Sequence, residues 1–324
     1  MTKSPSMDDI RVAHDRIRPF IHRTPVMTCA TLDAMSGRRL FFKCENLQMV
    51  GAFKFRGASN VVQSLSDDEA SRGVCTHSSG NHAQALARAA RERGIPAWIV
   101  MPTSAPAVKR DAVIGYGATV IDCEPTLQAR ESTAAKVMGD TGAAFVHPYD
   151  DPRIIAGQAT AAVELIDEVD DLDGIIAPIG GGGLMSGTCL AGAAMQPGIR
   201  LIGVEPTGAD DAARSLESGV LVPQESPNTV CDGLLTSLSD LTWSILKTHL
   251  ETIQRVTDKQ VLVAMHLLWE RAKCVAEPSA ATVLAAVLSS DCPFPQGSRI
   301  GLILSGGNVS GSGGSISPAR RGDV

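Results

Sequence analysis

Short apolar segments alternate with helical stretches through the middle of the chain. Four of them span residues 74–77, 97–101, 119–122 and 144–147 and are mostly bounded by Gly or Pro. Segments of this length, separated by enough residues for a helix, are typical of parallel strands joined by crossover helices. The pattern therefore predicts a small α/β domain over residues 74–148, which we expect to be mobile.

Further apolar segments predict the buried strands of a second sheet. They span residues 174–179, 200–204 and 299–304. A helix over residues 156–169 leads into the first of these strands, and residues 39–45 predict a short strand near the N-terminus. We assign these elements to a larger, discontinuous domain, residues 1–73 and 149–324. The predicted fold class is α/β, with two open, mainly parallel twisted sheets and flanking helices.

Helical spacing marks both ends of the chain. Apolar residues at helical intervals from Asp8 predict a short amphipathic helix that ends near Pro19. A second helix is predicted over residues 259–275, and its apolar face is assigned to the core. The tail after Ser310 is rich in Gly and Ser and is predicted to be disordered.

The composition excludes several classes of partner. The 29 basic and 35 acidic residues give a net charge of −6, and the basic residues are not clustered, so nucleic acid and anionic membranes are not expected partners. No apolar stretch approaches the ~18 residues of a membrane span and no secretory signal is visible, so we expect a cytoplasmic protein. The eight cysteines form no C-x-x-C pair, and we expect neither a zinc site nor a disulfide framework.

Lys54 is the first candidate for chemistry, because it lies between the aromatic residues Phe53 and Phe55. Apolar surroundings disfavour the ammonium form, lower the pKa of a lysine and leave a nucleophilic amine that can form a Schiff base. The alternative is a structural lysine that extends its amine to solvent at the start of a helix. The neighbouring rings would then be ordinary core residues.

A run of four glycines, residues 180–183, lies between a predicted strand and a predicted helix. Residues without Cβ allow backbone amides to approach an anion, and the following helix N-terminus adds unpaired N–H groups, so the run predicts a phosphate site. A dinucleotide site is the alternative, with Glu205 as the acid that binds a ribose. Met185 and Ser186 stand where a strict G-x-G-x-x-G motif would be completed, so a cofactor with a single phosphate is favoured.

Two more polar loops follow predicted strands. Ser78, Ser79, Asn81 and His82 lie at a predicted helix start, where hydroxyl, amide and backbone N–H groups suit a carboxylate. The alternative is an ordinary N-cap, with His82 simply part of the helix. Ser305 opens a Ser-Gly-Gly-Asn turn after the last strand. Because open α/β sheets bind ligands at strand ends, we expect these loops to lie near the glycine run.

In combination, these four motifs make the chain resemble the fold type II pyridoxal-phosphate enzymes, specifically the serine/threonine dehydratase and serine racemase family. The resemblance extends over residues 8–309. It implies a site for pyridoxal 5'-phosphate, in which Lys54 forms the Schiff base. The implied cofactor-binding residues are Phe53, Lys54, Asn81, Gly180, Gly181, Gly182, Gly183, Leu184, Gly233 and Ser305.

The resemblance also implies a role for each of these groups. Phe53 and Gly233 would flank the cofactor ring, while the glycine run and Leu184 would hold the phosphate. Asn81 would bind the phenolic oxygen and Ser305 the pyridine nitrogen. A hydroxyl partner leaves that nitrogen largely unprotonated, which favours β-elimination.

The resemblance further implies a structural Mg²⁺ or Ca²⁺ ion held by Glu205, the carbonyl of Ala209 and Asp211. Hard oxygen ligands suit these cations, although solvated loop acids are the alternative explanation of the same stretch. Ser79 and Glu205 are typical of the serine racemase and 3-hydroxyaspartate dehydratase branch. Met49 and Val50 stand where animal racemases have Lys-Thr, so nucleotide activation is not expected.

The predicted activity is dehydration of small 3-hydroxy amino acids, such as 3-hydroxyaspartate, serine or threonine. Catalysis is assigned to Lys54 and Ser79. Ser79 would donate a proton to the substrate Cα on the face opposite Lys54, which makes racemisation of serine or aspartate the alternative activity. Arg130 would pair with a substrate β-carboxylate, unless it is an exposed arginine on the helix near Thr126. The predicted substrate residues are Ser78, Ser79, Asn81, His82 and Arg130. A homodimer is expected; a nicotinamide-dependent oxidoreductase and a non-catalytic binding protein are the alternatives of other classes.

Overall fold

The computed structural model describes residues 3–309, so the predicted disordered tail lies outside the described residues. The helices are α1 Met7–Ile17, α2 Ala30–Ser36, α3 Lys54–Ser64, α4 Asp67–Arg72, α5 Asn81–Arg93, α6 Ala107–Gly115, α7 Leu127–Thr141, α8 Pro152–Glu168, α9 Gly183–Met195, α10 Asp211–Ser218, α11 Asp240–His249, α12 Asp258–Glu270 and α13 Pro278–Leu288. The strands are β1 Val26–Met27, β2 Arg39–Lys43, β3 Val74–His77, β4 Ala97–Pro102, β5 Thr119–Cys123, β6 Ala144–Phe145, β7 Gly174–Pro178, β8 Arg200–Pro206, β9 Thr252–Val256 and β10 Arg299–Ile303.

Within this range the strands form two sheets. A six-stranded sheet has the order β1-β2-β10-β7-β8-β9, and all its pairs are parallel except β1 with β2. A four-stranded, all-parallel sheet has the order β5-β4-β3-β6. The predicted α/β class with two mainly parallel sheets is therefore confirmed. The division into domains at residues 74 and 148 stays a prediction.

Both faces of the six-stranded sheet are covered by helices, as parallel sheets require. One apolar cluster joins α1, α8, α9 and α11 to one face, and another joins α2, α12 and α13 to the opposite face. The third cluster packs α3 and α5 beside the four-stranded sheet. No helix among residues 3–309 has the length and apolar character needed to cross a membrane.

Several predicted elements end earlier in the structure than the sequence predicted, and for a helix and a strand the cause is visible. The helix expected over residues 259–275 ends at Glu270, because the chain turns through Lys273, which has φ 56°, to begin α13 beside α12. Strand β6 has two residues rather than four. Beyond it, His147 Nδ1 accepts hydrogen bonds from the backbone amides of Tyr149 and Asp150, which turns the chain out of the sheet.

Helix α3, which begins at Lys54, is fixed by close packing on α8. A Cβ added to Gly157 would lie 2.6 Å from the Cα of Gly57, so only glycine allows the two helices to approach this closely. Two residues after Lys54, the guanidinium of Arg56 is fully buried between the carboxylates of Glu45 and Glu164. The first turn of α3 is therefore held from two sides.

Candidate active site

Lys54 lies beside the end of β10 because its own segment is bonded to that strand end. The backbone N–H of Phe53 donates to the carbonyl of Ser305 at 3.0 Å, and Ala52 forms a bridge with Gly306. The Nζ of Lys54 donates to the carbonyl of Pro148 at 2.9 Å and lies 5.1 Å from the centre of the Phe53 ring.

The surroundings of Lys54 shift the pKa of its amine in the direction that the sequence predicted, while its role as a Schiff-base lysine stays a prediction. Burial lowers its pKa to about 8, while the negative charge of Glu277 opposes that change. The alternative of an amine extended into solvent is therefore wrong. A pKa of about 8 leaves roughly a tenth of the amine uncharged at pH 7, far more than for a free lysine, and the uncharged form is the one that a nucleophile or a general base requires.

The four glycines connect β7 to α9, and their neighbours leave no room for side chains. A Cβ on Gly181 would lie 2.2 Å from the ring of Tyr149, and one on Gly180 would lie 3.0 Å from the carbonyl oxygen of Gly233. Gly182 has φ 86°, a left-handed conformation that favours glycine. The loop is thus shaped by close packing, and it passes directly beside Gly233.

The same loop has the features of an anion site. The backbone N–H groups of Gly183, Leu184 and Met185 open α9 and have no carbonyl four residues earlier within the helix. The hydroxyl of Ser186 is buried and has no hydrogen-bond partner within residues 3–309. A phosphate would receive these amides and the positive end of the helix dipole, so the residues present fit the phosphate of the implied cofactor.

Asn81 and Ser305 are the residues to which the resemblance assigns contacts with a cofactor ring. Asn81 opens α5, and its Nδ2 donates to the carboxylate of Glu277 at 3.0 Å. Ser305 is almost fully buried at the end of β10. Gly80 takes the N-cap position of α5 without a side-chain cap, so the alternative of an ordinary Ser or Asn N-cap is wrong.

Two histidines near Lys54 are held neutral. His82 is buried, its Nε2 lies 3.1 Å from the carbonyl oxygen of Val146, and burial together with the charge of Lys54 lowers its pKa to about 3. Burial lowers the pKa of His147 to about 4. Sequence reasoning selected His82 but missed His147. Neither imidazole adds a positive charge to the site near neutral pH.

The side chains of Arg130 and Ser79 make fewer contacts that fix their positions than the side chains of Lys54 and Asn81 do. Arg130 is half-buried on α7 rather than exposed, and its role in substrate binding stays a prediction. Its Nε is buried without a hydrogen-bond partner in the described part of the chain, and its charge helps to lower the pKa of His77, after burial itself. Ser79 is partly buried next to Ser78, whose hydroxyl accepts the N–H of Gly80 at 3.3 Å.

Glu205 and Asp211 are both fully buried, which contradicts the alternative of solvated loop acids. Glu205 accepts the N–H groups of Ala212 and Ala213 at the start of α10, and burial together with the charge of Asp211 raises its pKa to about 8. Oδ1 of Asp211 is buried without a partner among residues 3–309. Two buried carboxylates and one unsatisfied oxygen fit a divalent cation, although no cluster of three acidic, His or Cys side chains exists within that range.

This pair of acids lies one layer behind the phosphate loop. Oδ2 of Asp211 accepts the N–H of Leu238 at 3.3 Å, and the side chain of Leu238 would be 2.8 Å from a Cβ on Gly182. Ala209 is also fully buried, in the turn between Glu205 and α10. Glu205 and Asp211 are therefore close enough for the charge of Asp211 to raise the pKa of Glu205, and the metal site with the Ala209 carbonyl stays a prediction.

Glu277 was not selected from the sequence, although its charge influences Lys54 and its carboxylate binds Asn81. It is the N-cap residue of α13, followed by Pro278. An acid followed by proline is a common way to begin a helix, so the local pattern indicates a structural role only.

Known proteins resemble the chain over nearly its whole length. The family model described as "Pyridoxal-phosphate dependent enzyme" matches residues 17–306. The chain is 50% identical over 305 residues to the beta-hydroxyaspartate dehydratase of Paracoccus denitrificans (strain Pd 1222), covering 94% of this chain and 96% of that protein. It is 47% identical over 307 residues to the serine racemase of Dictyostelium discoideum, covering 94% of this chain and 95% of that protein. The structure of maize serine racemase has a TM-score of 0.93 and 46% identity, with 95% of each chain covered.

Proposed function

The chain belongs to the family of pyridoxal-phosphate-dependent enzymes, and from that premise we propose that it dehydrates small 3-hydroxy amino acids. We place 3-hydroxyaspartate and serine ahead of threonine as substrates. The family contradicts the alternative of a nicotinamide-dependent oxidoreductase. The observation that carries the proposal is the buried amine of Lys54, whose pKa is lowered to about 8 beside the phosphate loop, Asn81 and Ser305.

The residues proposed to hold the cofactor follow from the geometry of the loops. The glycine run and the first turn of α9 would bind its phosphate, Asn81 its phenolic oxygen and Ser305 its ring nitrogen. Phe53 and Gly233 would cover its two faces. Pyridoxal phosphate, when bound, supplies an electrophilic carbon that joins the substrate amino group and a ring that withdraws electrons from it.

Lys54 is proposed to remove the proton from Cα of the substrate. The amine must be uncharged to accept that proton, and burial of Lys54 makes this form available near neutral pH. The electron pair left on Cα forms the Cα–Cβ double bond as the β-hydroxyl leaves with a proton. The released enamine takes up water and yields a 2-oxo acid and ammonia, so the water lost in elimination is regained.

Ser79 supports the second candidate function, which is racemisation of serine or aspartate. A hydroxyl on the face opposite Lys54 would return a proton to Cα with inverted configuration, whereas Lys54 alone returns it on the original face. Dehydration requires Lys54 but not the hydroxyl of Ser79. We therefore propose racemisation as a side activity or as the runner-up, in line with the activity named for the Dictyostelium discoideum relative.

Arg130 supports a substrate with a second carboxylate. Its Nε is buried and has no partner among the described residues, and a guanidinium can pair bidentately with a carboxylate. Ser78, Asn81 and His82 would bind the α-carboxylate at the start of α5, where the first backbone N–H groups of a helix have no partner within the helix. The Paracoccus denitrificans relative is named a beta-hydroxyaspartate dehydratase, which supports the same substrate class.

The remaining assignments are a structural cation and a location. We propose that Glu205, Asp211 and the carbonyl of Ala209 hold Mg²⁺ or Ca²⁺, because neither of the two buried acids forms an ion pair with a cationic side chain of residues 3–309. We further propose a cytoplasmic homodimer with a small-molecule substrate and with neither nucleic acid nor membrane as a partner. The small domain over residues 74–148 is proposed to move relative to the larger one.

The test is a set of variants assayed against L- and D-serine, threonine and the 3-hydroxyaspartates. Arg130→Ala should raise KM for 3-hydroxyaspartate but not for serine, while Ser79→Ala should suppress racemisation and turnover of D-substrates and spare elimination from L-substrates. Lys136→Ala, an exposed cation on the same helix as Arg130, is the matched control. Equal losses on every substrate would contradict the division of roles.

A further inference from the structure

Glu277 is a buried acid that forms no ion pair within the described part of the chain. Its side chain lies at the start of α13 and is 4% exposed. No Lys, Arg or His of residues 3–309 lies within ion-pair distance of its carboxylate. Burial raises its pKa to about 7, against the hydrogen bond from Asn81. A buried carboxylate is costly, so its hydrogen-bond partners indicate what it does.

Those partners are two asparagines from distant parts of the chain. Both carboxylate oxygens accept Nδ2 of Asn81, at 3.0 and 3.2 Å, and Oε2 also accepts the backbone N–H of Asn308 at 3.1 Å. The side chain of Asn308 completes a ring, because its Nδ2 donates to Oδ1 of Asn81 at 2.9 Å and to the carbonyl of Val50 at 2.8 Å.

This ring allows only one orientation of the Asn81 amide. The backbone carbonyl of Val50 only accepts hydrogen bonds, so the Asn308 amide faces it with Nδ2 and also donates to Oδ1 of Asn81, which leaves Nδ2 of Asn81 to face Glu277. One N–H of Asn81 is shared between the oxygens of Glu277. The second N–H of the same Nδ2 remains for another acceptor.

The surrounding glycines leave space for the carboxylate at the candidate site. A Cβ on Gly306, the residue after Ser305, would lie 2.6 Å from Oε1 of Glu277. A Cβ on Gly233 would lie 3.9 Å from the same oxygen. Glu277 therefore lies between the residue proposed to cover one face of the cofactor ring and the residue next to its proposed nitrogen partner.

We propose that Glu277 is a positioning residue that fixes the amide of Asn81, so that its second N–H faces the cofactor site. The inference rests on the proposed cofactor site. Asn308 supports the same orientation from the oxygen side of the amide. Without the carboxylate, the amide of Asn81 can rotate and present its oxygen instead of its N–H to the phenolic oxygen of the cofactor.

The experiment measures binding of pyridoxal phosphate to the cofactor-free full chain, by absorbance and fluorescence titration. Glu277→Gln keeps the shape but replaces one acceptor oxygen by an NH₂ donor, so it cannot satisfy both asparagines. We expect Kd to rise about tenfold, as the loss of a charge-assisted hydrogen bond to the amide suggests. Asp173→Asn is the matched control, because Asp173 also accepts a backbone N–H, that of Arg299, at the opposite end of the sheet. It should leave Kd unchanged.

A double-mutant cycle separates positioning from general stability. Asn81→Ala should weaken binding by itself, and adding Glu277→Gln should then change Kd less than twofold, because Glu277 acts through Asn81. The two single variants should also shift the absorbance spectrum of the bound cofactor in the same direction. Independent, multiplying losses would overturn the inference.

Two further measurements keep the outcome decisive. If Glu277→Gln does not fold, judged by circular dichroism, Asn308→Ala removes the other contact that orients the amide and should show the same coupling to Asn81. Wild-type protein that fails to bind pyridoxal phosphate would refute the proposed function. Wild-type protein that binds it, with Kd unchanged in Glu277→Gln, would refute only the role of Glu277.

Discussion

Replacing Glu164 by glutamine tests the buried charges that hold the first turn of α3. The Glu164 carboxylate is 1% exposed and accepts Nη1 and Nη2 of Arg56, each at 2.8 Å. It also lies 2.7 Å from Nζ of Lys43. Glu45, which binds the other side of Arg56, is fully buried as well. The variant leaves two buried cations to share a single carboxylate.

The magnitude follows from that imbalance. Breaking a buried ion pair by removing one partner costs about 3–5 kcal/mol, because an uncompensated charge remains away from water. A folded domain has roughly 5–15 kcal/mol of stability in total, so Glu164→Gln should remove a large fraction of it. Because Arg56 follows Lys54 by two residues, the first turn of α3, which carries Lys54, should loosen in the same variant.

The assay is the free energy of unfolding from urea denaturation at neutral pH. Glu251→Gln is the matched control, since Glu251 pairs with Arg200 but its side chain is 44% exposed. An exposed pair contributes about 0–1 kcal/mol, so the control should be nearly neutral. The double variant Glu164→Gln with Lys43→Met removes one charge of each sign and should lose less than the sum of the two single variants.

The pH dependence gives an independent check. Burial raises the pKa of Glu164, but hydrogen bonds from His14 and Arg56 and the charges of Arg56 and Lys43 outweigh it and hold the pKa well below 4.5. A depressed pKa contributes stability above the ordinary value, which is lost as the pH falls through the folded pKa. Glu164→Gln should reduce this acid dependence. A loss below about 1 kcal/mol, equal to that of Glu251→Gln, would refute the reasoning.

The remaining predictions concern the candidate site directly. Lys54→Ala should reduce turnover below about a thousandth of wild type, which corresponds to a loss of ~4 kcal/mol in transition-state stabilisation. A higher turnover of this variant in saturating pyridoxal phosphate would contradict the role of Lys54 as the base. Chelation should lower the melting temperature and the activity together, and added Mg²⁺ or Ca²⁺ should restore both, because a ligand bound only to the folded state stabilises it. Neither change should occur in Glu205→Ala; an unaltered wild-type melting curve in excess chelator would disprove the metal site. Lys109→Glu should break the 2.7 Å ion pair that joins α6 to Asp232 and lower the free energy of unfolding in urea by about 0–1 kcal/mol, and the charge swap with Asp232→Lys should reverse the effect.

The strand ends could be predicted from the sequence because their signals are local. A short apolar segment followed by glycines indicates the end of a buried strand, and this placed the loops after β3, β7 and β10 correctly. The turn at Lys273 has no such signal, since Lys is rarely found at positive φ and the helical pattern continues past it. The helix over residues 259–275 was therefore predicted too long.

The burial of the acidic residues could not be predicted in the same way. Glu205, Asp210 and Asp211 stand in one polar stretch, yet Glu205 and Asp211 are buried while Asp210 pairs with Arg214 and Arg255. Which acid enters the protein depends on how α10 packs, and the local sequence contains no information about that packing. A solvated loop and a cation site were therefore equally compatible with the sequence.

The supporting residues of the site were missed because their partners are distant in the chain. Asn81 and Glu277 are 196 residues apart, and Arg56 and Glu164 are 108 residues apart. Asn81 could be selected from its own motif, and Arg56 lies two residues after Lys54, so both stand in recognisable segments of the sequence. The acids that orient them, Glu277 and Glu164, have no comparable local signal. The role of an acid can be recognised only when the fold buries it, because the free-energy cost of removing its charge from water must then be offset by hydrogen bonds to particular groups. The buried acids of this chain therefore identify the contacts on which the geometry around Lys54 and Asn81 depends.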